Sequence, residues 1–179
     1  MSDILTERRL EIPGEPDLRL RQLVPNDAPQ LFEVIDFNRE HLVTFGEDFT
    51  DPEKYGSPET VEALIDRYNR RLTKHLGIWA GATLVGKAYL DPLYSPEAKS
   101  EIGYWIGGQY VRKGHATNTV RTLTRFAFSM WESSSVIAYA LRTNEASIRV
   151  LLRTGFMPAY GNKSALRFEL YNPDQQSQS

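Results

Sequence analysis

Residues Gly107 to Thr119, GGQYVRKGHATNT, bring three glycines and two adjacent cations, Arg112 and Lys113, directly ahead of a run with helical spacing. A segment of this kind can hold an anion. The first turn of a helix leaves backbone N–H groups without intrahelical partners, and the helix dipole adds partial positive charge at the same end. Gly114 lets the backbone approach a ligand closely, Ala116 is small, and the two cations can neutralise phosphate charge. The same residues equally suit a plain turn, shaped by Gly107, Gly108 and Gly114, with the cations solvated.

The elements around this segment follow from hydrophobic spacing. Ahead of it, EIGYWIG has the composition of a strand. After it, HATNTVRTLTRFAFSMW places Val120, Leu123, Ala127 and Met130 on one helical face. SVIAYAL is a nearly continuous apolar run, as in a central buried strand. NEASIRVLLRTGF predicts a short helix closed by Gly155. ALRFELY completes the sheet, and NPDQQSQS is a polar tail expected to fray.

The N-terminal half is patterned as clearly. LRLRQL alternates Leu18 and Leu20 with Arg19 and Arg21, the period of a half-buried strand. Asn26 and Asp27 offer capping oxygens to a helix carrying Ala28, Leu31, Phe32 and Ile35. NREHLVTF follows as a second short helix. SPETVEALIDRYNRRL is the clearest helix: Ser57 caps it, Pro58 suits its first turn, and Val61, Leu64, Ile65, Tyr68 and Leu72 form its apolar stripe. HLGIWAG and TLVGKAYLD predict a hairpin turning at Gly81 and Ala82, and YSPEAKS a loop. The fold class expected is α/β (α+β), with a mixed, mostly antiparallel central sheet flanked by helices. One domain is expected over 1–179, its core spanning about 18–171.

Composition narrows the function. Of 179 residues, 41% are hydrophobic and 25% charged, values of a globular chain rather than a disordered one. Twenty-one basic residues against 23 acidic ones argue against a nucleic-acid coat or a polybasic membrane binder. The absence of cysteine removes thiolate metal sites and cysteine nucleophiles. His41, His75 and His115 are far apart in sequence and form no H-E-x-x-H, so no metal is expected. Neither G-x-x-x-x-G-K-[ST], nor G-x-G-x-x-G after an early strand, nor G-x-S-x-G occurs. The N-terminal residues carry charge every few positions with no apolar signal core, and no stretch approaches the roughly 20 apolar residues of a membrane span. A cytoplasmic location is expected.

EIGYWIGGQYVRKGHATNTVRTLTRFAF, followed by NEASIRVLLRTGF, resembles the acetyl-CoA-binding core of GNAT-superfamily acetyltransferases, and within them the RimJ/RimL-type N-acetyltransferases. LRLRQLVPNDAPQLFEVIDFNREHLVTF is similar to the same subclass, so the resemblance runs from about Leu18 to about Tyr171. It implies a GNAT fold whose sheet splays at the cofactor site, acetyl-CoA as co-substrate, and no metal. The family's pyrophosphate loop has the form Gln/Arg-x-x-Gly-x-Gly/Ala. Here Val111 replaces the Gln or Arg, with Gly114 and Ala116 in register.

Acetyl transfer to an amine has three requirements. An α-amino group has a pKa near ~8 and a lysine near ~10.4, so a base must remove a proton. The developing oxyanion needs a hydrogen-bond donor, and the thiolate leaving group benefits from an acid. The resemblance implies cofactor contacts at Trp105, Ile106, Gly107, Arg112, Lys113, Gly114, His115, Ala116, Thr117 and Asn144, with oxyanion donors near Trp105, Ile106 and Gly107. It implies catalytic roles for Glu101 as the proton-relaying carboxylate and Ser147 as the acid. Each has a plainer reading: Glu101 as an exposed charge at a strand end, and Asn144 with Ser147 as a helix cap.

The expected acceptor is a primary amine, either a protein N-terminus or a small molecule, with no membrane or nucleic-acid partner and a possible homodimer. Its cleft is expected around DFNREHLVTFGEDFTDPEKYG, where Glu47, Asp48 and Asp51 either attract a cationic acceptor or belong to a solvated loop. The alternative is a non-catalytic module that binds acyl-CoA or a partner protein, favoured only by Val111.

Overall fold

The computed structural model of the chain describes residues 10–12, 15–46, 49–93 and 97–176. Eight strands form one open sheet: β1 (Leu10–Ile12), β2 (Glu15–Gln22), β3 (Lys74–Ala80), β4 (Thr83–Pro92), β5 (Lys99–Ile106), β6 (Ser135–Leu141), β7 (Met157–Gly161) and β8 (Ala165–Tyr171). Their order is β1-β2-β3-β4-β5-β6-β8-β7, and every neighbouring pair is antiparallel except β5 and β6. The α-helices are α1 (Ala28–Phe37), α2 (Arg39–Leu42), α3 (Pro52–Tyr55), α4 (Pro58–Asn69), α5 (His115–Met130), α6 (Glu145–Arg153) and α7 (Pro173–Gln176). Among the described residues, no helix is long and apolar enough to cross a membrane.

Two hydrophobic cores lie on opposite sides of the sheet. Val120, Leu123 and Ala127 of α5 and Leu151 of α6 pack with Leu18, Leu20, Leu76, Ile78, Ile102 and Val136. Leu31 and Ile35 of α1, with Val61 and Ile65 of α4, enclose Trp79 and Trp105 in the second core. The alternation of β2 explains part of this division, since Leu18 and Leu20 enter the first core. Arg21 instead lies 4.2 Å over the Trp79 ring.

Several expectations change in detail. Asp27 does not cap α1 with its side chain. Its carboxylate takes two hydrogen bonds from Arg21, at 2.6 and 2.7 Å, and one from the Val24 N–H at 2.9 Å, which fixes the 3-10 turn Pro25–Asp27. Leu72 is exposed because α4 stops at Asn69, and Met130 is exposed at the last residue of α5. Ser57 does cap α4, accepting from the Thr60 N–H. The tail does not fray at its start: the Asn172 side chain is buried and donates to the Ser133 carbonyl at 3.1 Å, ahead of α7. Tyr94 to Pro96 of the expected YSPEAKS loop, and 177–179 of the tail, lie outside the described residues.

The β5–β6 pair positions the site. It is parallel over Lys99–Ile102 against Ser135–Ala138, and there the pairing ends. Both strands continue, β5 to Ile106 and β6 to Leu141, so their C-terminal ends diverge. The sheet therefore opens between them, as the resemblance implies.

Candidate active site

Ladder alternation decides which groups face the opening. The Gly107 N–H donates to the Val85 carbonyl at 2.9 Å, and Trp105 pairs with Lys87 in the same register. In an antiparallel ladder the residues between such pairs turn their N–H and C=O the other way. Tyr104 and Ile106 thus present main-chain groups to the gap, and the Ile106 carbonyl accepts from His41 Nε2 at 3.1 Å. The expectation that Trp105 and Gly107 amides line the gap is corrected: theirs face β4, and those of Tyr104 and Ile106 face the opening. The Trp105 ring sits in the second core, edge-on to Phe49 at 5.7 Å.

Beyond β5 the chain makes a 3-10 turn, Gly108–Tyr110, then an exposed loop from Val111 to Gly114. Two positions are left-handed, Arg112 at φ 64° and Gly114 at φ 83°. Gly114 is the N-cap of α5, and its carbonyl accepts from the Asn118 N–H at 3.0 Å. The N–H groups of His115, Ala116 and Thr117 accordingly have no intrahelical acceptor. These amides, the left-handed turn and the flanking Arg112 and Lys113 fit a diphosphate. Val111 has extended backbone and an exposed side chain, so its replacement of a polar residue leaves the main-chain cradle intact.

The loop is tethered from a distance. Buried Asn38 accepts the Gly108 N–H at 2.7 Å and donates to the Val34 carbonyl at 2.7 Å. Next to it, Arg39 donates to the carbonyls of Phe49 and Tyr55, the latter at 2.7 Å. The NREH segment therefore joins the end of β5 to the loop between α2 and α4. Asp51 is a cap, accepting the Glu53 N–H at 2.9 Å and pairing with Lys54 at 3.0 Å. Glu47 and Asp48 lie outside the described residues.

On the α5–α6 face of the opening, Asn144 caps α6 by accepting the Ser147 N–H at 3.0 Å. The Ser147 Oγ shares a hydrogen bond with the Tyr104 hydroxyl, also at 3.0 Å. Burial pushes the Tyr104 phenol up to about 12, with the Ser147 bond opposing the shift, so it stays protonated at neutral pH. On the opposite face, Tyr89 donates to Glu101 Oε1 at 2.7 Å. Gly103 makes room for this contact, because a Cβ there would stand 2.1 Å from the Tyr89 ring. Glu101 is therefore a half-buried, hydrogen-bonded carboxylate.

A cleft of about 180 Å³ joins the two faces. Tyr104, Asn144 and Ser147 line it from one side, and Phe45, Lys87, Tyr89 and Trp105 from the other. The cleft thus lies where β5 and β6 separate, with lining residues from both faces of the sheet. Tyr89, Asn38 and Lys87 were not among the residues singled out by sequence, and His41 was considered there only as a metal ligand. Tyr104 alone had a usable signal, its alternation with Trp105 along one strand. Among the described residues, no group of three or more His, Asp or Glu side chains could hold a metal ion.

A split parallel pair beside a left-handed loop and a helix N-terminus makes this an α/β protein with a seat for an anionic ligand. Residues 17–157 match the family model described as acetyltransferase (GNAT) domain. The chain is 33% identical over 147 residues to "Putative ribosomal N-acetyltransferase YdaF" of Bacillus subtilis (strain 168), covering 78% of each protein. It is also similar to the crystal structure of a "Probable acetyltransferase" (TM-score 0.81, 25% identity, 93% of this chain and 98% of that one). RimL, a ribosomal alpha-N-protein acetyltransferase solved in complex with coenzyme A, shares the fold at a TM-score of 0.77 and 16% identity, over 92% of this chain and 98% of that one. The chain belongs to the GNAT acetyltransferase family. It is an acetyl-CoA-dependent N-acetyltransferase.

Proposed function

We propose that the acceptor is the α-amino group of a protein N-terminus, and that this chain's residues divide the transfer between the two faces of the cleft. The cleft lined from both faces of the sheet carries this reading, because it would let an amine and a thioester meet from opposite sides. On the α5–α6 face, Arg112, Lys113 and the amides of Gly114, His115, Ala116 and Thr117 hold the diphosphate. Asn144 receives the pantetheine arm in addition to capping α6. The amides of Ile106 and Tyr104 donate to the thioester oxygen as negative charge builds on it.

From the opposite face the amine nitrogen attacks the carbonyl carbon. Glu101, oriented by Tyr89, takes the amine proton through a water molecule. The carbon–sulfur bond then breaks, and the Ser147 hydroxyl donates a proton to the thiolate. The YdaF name, with its ribosomal N-acetyltransferase assignment, supports a protein N-terminus.

Thiol release with acetyl-CoA and a panel of short peptides tests this reading. Turnover with free N-termini, lost on Nα-blocking and lowered by E101Q, is expected. Turnover only with lysine side chains or polyamines would overturn the acceptor assignment.

A further inference from the structure

Lys87 is an unusual occupant of a central strand. It is only 6% exposed, yet among the described residues no carboxylate lies within 4.0 Å of its ammonium. Its contacts are neutral: Nζ donates to the Tyr68 hydroxyl at 3.3 Å and lies 4.4 Å from that ring's centroid. Buried cations are ordinarily paired, because an unpaired one loses its hydration without compensation. Directly across the ladder is Trp105, whose indole N–H is buried and without a hydrogen-bond partner. Lys87 and Trp105 both line the cleft. Two buried donors therefore stand on paired residues, one charged, with no carboxylate among the described residues to balance the charge.

Their surroundings do not neutralise the cation. His75 stacks on Tyr68 at 3.6 Å and is lowered to about 3, by burial first and then by the charges of Lys87 and Arg71. It is thus neutral at physiological pH. Nor does the diphosphate seat explain the pair. That seat follows β5 at the start of α5, whereas Lys87 and Trp105 share the α1–α4 face with Phe49 and Tyr68.

We propose that Lys87 and Trp105 form an anion seat in the acceptor half of the cleft, and that the preferred acceptor amine carries a carboxylate which occupies it. A carboxylate suits the pair because its two oxygens can accept from an ammonium and an indole N–H together. The carboxylate belongs to the residue that bears the reacting amine, as an acidic N-terminal side chain or the α-carboxylate of a free amino acid. This inference rests on the acceptor face described above; an acidic N-terminal side chain narrows the protein-N-terminus reading, whereas preference for a free amino acid would replace it.

Acceptors matched in shape provide the test, with rates compared per neutral amine because a neighbouring carboxylate raises the amine's own pKa: peptides beginning with Asp against Asn and Glu against Gln, and glycine against glycinamide. For wild-type protein, kcat/KM is expected to favour the carboxylate member by about tenfold or more. The peptide pairs and the amino-acid pair report separately which source is used. In K87M the ratio should fall to near one, chiefly through KM for the carboxylate acceptor. Equal rates for both members in the wild type would overturn the anion seat while leaving N-terminal acetylation standing. An unchanged ratio in folded K87M would also overturn it. Absence of turnover with every peptide and amino acid would defeat both readings. The wild-type ratio decides the matter even if K87M fails to fold.

Discussion

The Tyr104 hydroxyl and the Ser147 Oγ stand 3.0 Å apart, linking β5 to the first turn of α6 across the opening in the sheet. This contact makes Ser147 more than a residue in a capped helix turn, because its hydroxyl is held against a phenol that remains neutral. Removing the hydroxyl in S147A should lower kcat by about 10²-fold, the range of a lost general acid. Y104F should lower kcat by about tenfold, since Ser147 remains but loses its orienting partner. Steady-state kinetics with acetyl-CoA and a working acceptor would check both. Equal, negligible effects would reduce the pair to packing.

Glu101 provides a second check through pH. If its carboxylate takes the amine proton, E101Q should lose most where the acceptor is protonated and recover as pH passes the amine's own pKa near ~8. The ratio of wild-type to E101Q kcat/KM, followed from about pH 6 to about pH 9.5, should therefore shrink with rising pH. A constant ratio would assign Glu101 a structural part only.

Arg112 separates stability from binding. A left-handed non-glycine residue costs roughly 1–2 kcal/mol, and glycine at such a site returns about 0.5–1 kcal/mol of that as unfolded-state entropy. R112G should unfold at equal or slightly higher urea concentration while KM for acetyl-CoA rises, because the φ 64° strain is relieved and a cation is lost. Urea denaturation and KM on the same preparation would show the two effects moving in opposite senses.

Much of this arrangement was legible in the sequence, and what was not has identifiable causes. The hairpin of β3 and β4, the helix α4 and the strand–loop–helix from β5 to α5 all followed from local period and capping residues. β7 gave no signal, since all five of its residues are exposed and its register with β8 is broken between Pro158 and Gly161. α3 is a single turn, too short for a periodic pattern. The tether from Asn38 to Gly108 spans 70 residues and that from His41 to Ile106 spans 65, so neither is encoded in spacing. The NREHL block was visible as a resemblance, but its physical work, bracing the end of β5, depends on the tertiary fold. Lys87 was visible as a single charge within TLVGKAYL; only its burial and lack of a carboxylate give it meaning.

Asn38 makes the tether testable. N38A would leave the Gly108 N–H and the Val34 carbonyl without this partner, at a cost of about 1–3 kcal/mol. The same change should raise KM for acetyl-CoA, because the loop that follows Gly108 loses its anchor. Chemical denaturation with parallel kinetics would show both; a stability loss at unchanged KM would confine Asn38 to the fold.

His75 predicts acid sensitivity. Its folded value near 3 lies below the ordinary value of 6.5, so the unfolded chain binds the proton more readily between those limits. Stability from this group is complete above about pH 6.5 and is lost as pH falls toward about 3. Urea midpoints measured across that window should fall with decreasing pH, and H75Q should show a shallower decline. A slope unaffected by H75Q would place the acid sensitivity elsewhere.

The most direct measurement of how this chain holds its co-substrate is an amide-resolved NMR titration with coenzyme A. The account predicts saturable shifts concentrated at Gly114, His115, Ala116 and Thr117, with a second group at Tyr104 and Ile106. Shifts confined to other surfaces, or none at millimolar coenzyme A, would contradict it.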